Sequence, residues 1–167
     1  MRVCDSVFIK LKGNNRISIG DSFTLTSGGG YNALARNIKA SIELEPNATI
    51  DIGNNVGMSS PCIRIYDYLK IGNNVKIGGD VIILDSDAHS LDYKLRRDGR
   101  TDRPNAKKAG ITIGDDVLVG ARSIILKGVT IGNRTIIGSG SVVVKSIPDD
   151  CIAAGNPCKV IKRINYE

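Results

Sequence analysis

The chain has 167 residues, 41% of them hydrophobic, which suggests one globular domain and excludes a disordered chain. Only 4% are aromatic and tryptophan is absent, so we expect an aliphatic core rather than an aromatic one. The net charge of +6 suits an anionic partner, but no aromatic residues alternate with the basic ones, so we expect a phosphorylated small molecule and no nucleic acid.

The first third of the chain carries weak patterns. The alternation of Val7, Ile9 and Leu11 predicts a strand or a cap. The run Ser27-Gly28-Gly29-Gly30 predicts a flexible turn, and the imperfect aliphatic pattern at 38–65 predicts irregular coils. No apolar stretch is long enough for a membrane span and no signal peptide opens the chain, so we expect no membrane span and a cytoplasmic location.

A six-residue repeat dominates the rest of the chain. Its aliphatic positions are Ile71, Ile77, Ile83, Ile113, Val119, Ile125, Ile131, Ile137 and Val143. This period fits neither a helix nor a plain strand, but it fits a parallel β-helix in which three short segments form a coil of about eighteen residues. Gly, Asn and Asp follow the aliphatic residue, as at 71–74, and they tolerate the left-handed angles of corners. An antiparallel sandwich or barrel would not keep one phase from Ile113 to Val143.

The repeat is interrupted at His89, the one histidine of the chain, which stands where the next aliphatic residue should be. Residues 89–110 read as a loop rich in Arg, Asp and Lys, and loops of this length are usually functional or disordered. The pattern ends at Pro148, and we expect a crossing strand followed by a short, helical capping segment. The sequence thus predicts one all-β domain over 1–167, with an inserted loop at about 89–110 and a C-terminal cap at about 149–167.

His89 is the strongest candidate for chemistry. A neutral imidazole beside a carboxylate is the usual form of a general base. In an extended segment Asp85, Asp87 and His89 point to the same side, so we expect Asp87, or next Asp85, to orient the ring. The plain alternative is a surface histidine in a polar loop. One histidine cannot supply the three ligands of a catalytic zinc except across a threefold axis, so we expect no metal.

Four segments carry a family resemblance. They are IGDDVLVGA (113–121), KGVTIG (127–132), IGSGSVVVK (137–145) and AAGNPCKVI (153–161). They resemble the hexapeptide-repeat acetyltransferases, in the branch that contains maltose and galactoside O-acetyltransferases and bacterial surface-polysaccharide O-acetyltransferases. Relatives often have Trp where this chain has Leu118 and Thr where it has Val144, and both positions concern the cofactor groove.

The resemblance implies a left-handed β-helix and a homotrimer with active sites between subunits. It implies acetyl-CoA as the acyl donor and His89 as the catalytic base. By position it assigns the donor to Gly120, Ala121, Ser139, Val144, Lys145, Lys159 and Lys162. The family's substrate-contacting Asn has no clear counterpart in this chain, since its place falls near Met58. We expect acceptor contacts from Met58, Ser59, Ser60 and Asp67, and from Arg96 of the loop.

The implied reaction is direct transfer of an acetyl group to a hydroxyl of a sugar or of a surface-polysaccharide precursor. An amino group on a nucleotide sugar and an antibiotic hydroxyl remain as alternative acceptors, and a non-catalytic β-helix scaffold remains as an alternative class. The inserted loop carries a basic cluster that could meet a phosphorylated or acidic acceptor. Its members are Arg96, Arg97, Arg100, Arg103, Lys107 and Lys108.

Overall fold

A computed structural model describes residues 1–166 and shows a coil of short strands with two helical turns in one loop. The strands are β1 (Arg2–Cys4), β2 (Phe8–Leu11), β3 (Arg16–Ile19), β4 (Thr24–Thr26), β5 (Ser41–Leu44), β6 (Thr49–Ile52), β7 (Gly57–Ser59), β8 (Cys62–Ile65), β9 (Tyr68–Ile71), β10 (Lys76–Gly79), β11 (Ile82–Leu84), β12 (Ile111–Ile113), β13 (Leu118–Val119), β14 (Ile124–Leu126), β15 (Thr130–Ile131), β16 (Ile136–Ile137), β17 (Val142–Val143), β18 (Cys151–Ala154) and β19 (Lys159–Arg163). The helices are α1 (Tyr93–Arg96) and α2 (Gly99–Asp102). Within 1–166, no helix is long and apolar enough to cross a membrane.

The strands form three parallel sheets, and the chain visits them in turn. Sheet A has the order β1-β4-β7-β10-β13-β16-β18-β19, sheet B has β17-β14-β11-β8-β5-β2, and sheet C has β15-β12-β9-β6-β3. Each strand inside a sheet pairs with its equivalents one coil before and one coil after, and among the strands within 1–166 only β19 runs antiparallel to its neighbour. The predicted β-helix is therefore confirmed, and it includes the N-terminal third, where the sequence pattern was weak.

The core is a set of aliphatic columns that run along the coil axis. In sheet B, Ile63, Ile83, Ile125 and Val143 lie in register on successive strands, and each is at most 1% exposed. One coil cannot cover its own inward side chains, so the burial that drives folding comes from the coils above and below. This is why the aliphatic residues recur with period six.

The corner glycines have a different role from the one the sequence suggested. The left-handed angles fall on the fourth residue of the hexapeptide, with φ values of 57° at Asn74 and 58° at Asp116. At Gly72 a Cβ atom would lie 2.8 Å from the backbone of Gly114 in the next coil. Glycine is needed there because the coils stack closely, not because the backbone is left-handed.

Asn and Asp side chains link successive coils at the same corner. Each accepts a hydrogen bond from the backbone N–H of its equivalent in the preceding coil, from Asp21 to Asn54 (2.7 Å), Asn54 to Asn73 (2.9 Å), Asn73 to Asp115 (2.6 Å), Asp115 to Asn133 (2.8 Å) and Asn133 to Asp149 (2.9 Å). These bonds satisfy corner amides that the parallel ladders leave without a partner. They explain the Asn or Asp that follows the glycine at this corner of the coil.

Two segments leave the coil. The first, residues 27–40, joins β4 to β5 and contains a short 3₁₀ turn at Ala33–Ala35. The second, residues 85–110, joins β11 to β12 and contains α1 and α2, at the interruption that the sequence predicted. Its two ends pair with each other, because Ser86 forms an antiparallel bridge with Lys108 and the N–H of Asp87 donates to the Lys107 carbonyl at 2.9 Å. This neck fixes the base of the second segment.

The expected helical cap at the C-terminus is wrong. Residues 159–163 form β19, which folds back antiparallel on β18 at the end of sheet A. An unpaired β18 would expose a row of backbone donors and acceptors, and the returning strand satisfies them. Val160 and Ile161 are β-branched, which also favours a strand.

Candidate active site

His89 forms a close pair with Asp102. Its Nδ1 lies 2.6 Å from Oδ2 of Asp102, whose other oxygen, Oδ1, accepts the backbone N–H of Ser90 at 2.8 Å. Two hydrogen bonds hold the pKa of the Asp102 carboxyl below its ordinary value. The bond from His89 has the larger effect and the bond from the Ser90 N–H the smaller one. An ionised carboxylate only accepts hydrogen bonds, so Nδ1 carries the proton and Nε2 keeps its lone pair. The pair thus has the arrangement of a general base with its orienting carboxylate.

The exposure of the two side chains suits this role. The imidazole of His89 is 60% exposed, whereas the carboxylate of Asp102 is only 10% exposed. The oriented ring therefore remains accessible to a substrate while its partner is covered by the loop. Chemically, the free Nε2 can accept a proton from a bound hydroxyl or amine.

The prediction that Asp87 or Asp85 orients the ring is wrong. Ala88 has a left-handed φ of 59°, which breaks the alternation of an extended strand between Asp87 and His89. Asp87 instead accepts a hydrogen bond from Nζ of Lys127 at 2.6 Å. Asp85 is fully buried and accepts the backbone N–H groups of Tyr66 (2.7 Å) and Asp67 (2.8 Å).

Asp85 is a structural anchor for the neck of the loop. Burial raises the pKa of its carboxyl to about 6, although the two hydrogen bonds that it accepts from backbone N–H groups lower that pKa. Its own carbonyl accepts the N–H of Ala109 at 2.9 Å, on the returning side of the loop. The residue thus ties the loop to the preceding coil and lies too deep to touch a substrate.

The loop folds so that Asp102 returns to His89. Asp98 caps the start of α2 by accepting the N–H of Arg100, and Asp102 ends that helix. Nη1 of Arg96 donates to the Ser90 carbonyl at 2.6 Å, which closes the turn between His89 and α1. Sequence reasoning missed Asp102, and the only signal for it was the helix-capping pattern that begins at Asp98.

A cleft with free backbone donors lies at the corner between sheets A and B. Its volume is about 300 Å³, and its lining is Leu34, Ala121, Arg122, Ser139 and Gly140. Within residues 1–166, the backbone N–H groups of Ala121 and Ser139 donate to no other protein group. The N–H of Gly120 already donates to the Ile137 carbonyl at 2.8 Å, so it cannot serve a ligand. The corner therefore offers two amides of successive coils to a ligand that carries carbonyl groups.

The other predicted donor residues lie outside this cleft, because Val144 and Lys145 follow β17 at the edge between sheets B and C, which is also the edge of His89. Val144 is 42% exposed, and Lys145 beside it is exposed as well. Lys159 and Lys162 are exposed on β19, where they lie opposite Ala154 and Ile152 of β18. All four side chains are accessible to a ligand that runs along the last coils.

Two of the residues predicted to contact the acceptor are buried. Met58 is 3% exposed because its position faces inwards, in register with Leu25 and Ile77, so the predicted contact is wrong. Ser60 is 1% exposed and accepts the N–H of Gly28, so it is equally closed to an acceptor. Of the remaining three residues, Ser59 is hydrogen-bonded to the side chains of Thr26 and Asn32, and Asp67 is half-buried. The guanidinium of Arg96 donates to two backbone carbonyls.

His89 and the cleft occupy different edges of the triangular coil. His89 follows β11 and lies between sheets B and C, whereas Ala121 and Ser139 lie between sheets A and B. The two parts that the sequence predicted to act together are therefore presented by one chain at two separate corners.

Comparisons with known proteins show which family the chain resembles. Residues 110–145 match the family described as bacterial transferase hexapeptide (six repeats). The chain is 39% identical over 119 residues to galactoside O-acetyltransferase of Escherichia coli K12, which covers 71% of this chain and 56% of that protein. A solved maltose O-acetyltransferase from Clostridium difficile 630 superposes with a TM-score of 0.57 at 28% identity, covering 98% of this chain and 71% of the other. A solved galactoside acetyltransferase in complex with coenzyme A superposes with a TM-score of 0.58 at 27% sequence identity. The superposition covers 98% of this chain and 65% of the other.

The match spans between 56% and 62% of the length of the curated relatives. The family model covers residues 110–145, which include three of the four segments on which the resemblance was based. The fold class, an all-β left-handed parallel β-helix, is confirmed. The chain belongs to the hexapeptide-repeat acetyltransferase family.

Proposed function

We propose that this protein transfers an acetyl group from acetyl-CoA to a hydroxyl of a saccharide, with His89 as the general base. The observation that carries the proposal is the pair of His89 and Asp102, in which Nδ1 is held at 2.6 Å and Nε2 is left free. The relatives support the acetyl donor, because one solved structure is a complex with coenzyme A. They support a sugar hydroxyl, because their names are galactoside and maltose O-acetyltransferase.

The proposed chemistry is a single direct transfer. Nε2 of His89 takes the proton of the acceptor hydroxyl while the hydroxyl oxygen forms a bond to the thioester carbonyl carbon. The tetrahedral intermediate then loses its carbon–sulfur bond, and the imidazolium returns the proton to the departing thiolate. Base catalysis of this kind contributes roughly 10²–10⁴-fold, and holding both substrates in place must supply much of the rest.

The cleft between sheets A and B is the proposed donor site. The N–H groups of Ala121 and Ser139 would donate to the carbonyls of the pantetheine arm, or the first of them to the oxyanion of the intermediate. Val144 and Lys145 lie at the same edge as His89, so they would contact the arm further along from the neighbouring copy. Lys159 and Lys162 would meet the phosphates of CoA, since cations on the last strand suit that anionic end.

A homotrimer would complete the site. One chain presents His89 at one edge of the coil and the donor cleft at another, so a second copy is needed to bring a base to each cleft. Three copies around a threefold axis would place the loop of each chain against the cleft of the next. The closed symmetry gives three equal sites.

A second candidate acceptor is an acidic or phosphorylated sugar, including an amino nucleotide sugar. A cleft of about 480 Å³ beside the loop is lined in part by Tyr66, Arg103 and Lys108. Within residues 1–166, neither Arg103 nor Lys108 forms an ion pair, although Lys108 donates to the Tyr66 carbonyl. Arg103 directly follows Asp102, so an anion held there would lie close to the proposed base.

The test is release of free CoA thiol from acetyl-CoA, with a panel of neutral sugars, sugar acids and nucleotide sugars as acceptors. We expect release that requires an acceptor, and a fall of roughly 10²–10⁴-fold in turnover for His89→Ala. Calorimetric titration should show that this variant binds CoA as the wild type does. Full turnover in His89→Ala would disprove the role of the histidine, and absence of CoA binding by the wild type would favour the non-catalytic scaffold.

A further inference from the structure

The insertion at residues 27–40 leaves and rejoins the coil at the corner where the donor cleft lies. It joins β4 of sheet A to β5 of sheet B, and the cleft lies between the same two sheets on later coils. The insertion is closed on itself, because the N–H of Gly28 donates to the Ile38 carbonyl at 3.1 Å and the N–H of Ala40 donates to Oγ of Ser27 at 2.9 Å. These two hydrogen bonds hold the two ends of the insertion together at the edge of the coil.

The tip of the insertion is held by polar contacts. Asn32 accepts the N–H of Leu34 at 3.0 Å and donates through Nδ2 to Oγ of Ser59 at 2.9 Å. Arg36 forms an ion pair with Asp80 at 3.5 Å. These contacts attach the tip to β7 and to the turn after β10, on both sides of Leu34.

A glycine lets the tip approach the coil closely. A Cβ atom at Gly79 would lie 3.2 Å from the backbone N of Ala35 and 3.2 Å from the carbonyl carbon of Leu34. Ala35 itself is fully buried in this contact. The backbone and the Cβ atom of Leu34 are consequently pressed against the coil edge, while the residue as a whole remains exposed.

Leu34 is an exposed leucine in a fixed position. It is 54% exposed, and it lines the cleft with Ala121 and Ser139, whose N–H groups have no protein partner within residues 1–166. An apolar wall opposite two amide donors suits a ligand in which carbonyl groups alternate with methylene groups. The pantetheine arm of an acyl-CoA has that chemistry, since its amides can accept from the donors while its methylenes contact the leucine.

We propose that Leu34 is a donor-binding residue that packs against the pantetheine arm of acyl-CoA, with residues 27–40 forming one wall of the donor cleft. This inference rests on the proposed function and adds to it a contact from a segment outside the hexapeptide repeat. The segment is held in place before the donor binds, so the contact costs little ordering of the protein.

The test compares two leucines by calorimetric titration of the full chain. We expect Leu34→Ala to weaken CoA binding roughly 5- to 20-fold, because it removes most of the apolar contact with the arm. The matched control is Leu11→Ala, which truncates a 53% exposed leucine on β2, away from both the cleft and the loop, and should leave CoA binding unchanged. Adenosine 3′,5′-bisphosphate, which lacks the arm, should bind Leu34→Ala as well as it binds the wild type.

Unchanged CoA binding in Leu34→Ala, with a wild type that binds CoA, would overturn this inference and leave the proposed function standing. Equal loss of CoA and of adenosine 3′,5′-bisphosphate would also overturn it, because the effect would then not come from the arm. A wild type that binds no CoA would remove the proposed function and this inference together.

Discussion

The chemistry of His89 depends on a carboxylate thirteen residues away in the sequence. Asp102 uses both of its oxygens, one for Nδ1 of His89 and one for the N–H of Ser90, so it fixes the ring and the backbone that carries it. Because its pKa lies below the ordinary value, it remains ionised at neutral pH and keeps the imidazole proton on Nδ1. In the proposed mechanism Asp102 is thus a positioning residue, which would act on the acceptor only through the ring.

Replacing Asp102 with Asn should therefore damage turnover without damaging donor binding. The amide can accept the N–H of Ser90 through its oxygen, but its NH₂ group then faces Nδ1 and forces the ring proton to Nε2. We expect kcat to fall by as much as the base contributes, up to roughly 10²–10⁴-fold, with the dissociation constant for CoA unchanged. Steady-state kinetics and calorimetry on one preparation measure both quantities.

Asp87→Asn is the matched control for that experiment, since Asp87 contacts Lys127 and not the ring. It should keep nearly full turnover. If Asp87→Asn lost activity as severely as Asp102→Asn, the role of Asp102 as the orienting carboxylate would be contradicted.

At the scale of elements, the sequence predicted the parts that repeat. Ile113, Ile125 and Ile137 reveal the coil because each inward position makes the same contact with the coils beside it. The site inside the loop could not be predicted in the same way. The pairing of His89 with Asp102 depends on the left-handed angle at Ala88 and on the return of α2, neither of which has a periodic signal.

The close contact between coils at the corner glycines predicts the effect of adding a side chain there. A Cβ atom at Gly120 would lie 2.4 Å from the backbone N of Ser139, so Gly120→Ala must push two coils apart. We expect the free energy of unfolding to fall by about 1–3 kcal/mol, as for overpacked cores. Urea unfolding measures it.

Gly99→Ala is the control for this effect. Gly99 lies in α2, where a Cβ atom would meet nothing within 4 Å, so the change should be neutral or should stabilise by about 0.4–1 kcal/mol. Equal stability of both alanine variants would show that the coils can separate at this corner without cost.

At the scale of the whole molecule, the main feature is the separation of the base from the donor cleft. The inserted loop carries His89 out from the edge between sheets B and C, and the two free amides lie at the next edge. A solenoid with three flat sides can bring these edges together by packing side by side around a threefold axis. In the proposed mechanism the trimer would therefore complete the site as well as stabilise the coil.

This arrangement can be tested by mixing two inactive variants. His89→Ala lacks the base but keeps the cleft, whereas Ser139→Trp fills the cleft from an exposed position and keeps the base. In trimers assembled from equal amounts of both, about a quarter of the interfaces should pair an intact base with an intact cleft. We therefore expect thiol release at about a quarter of the wild-type rate from co-expressed chains, and almost none from either variant alone. Mixed trimers, verified by two affinity tags, that showed no activity would mean that base and cleft must come from the same chain.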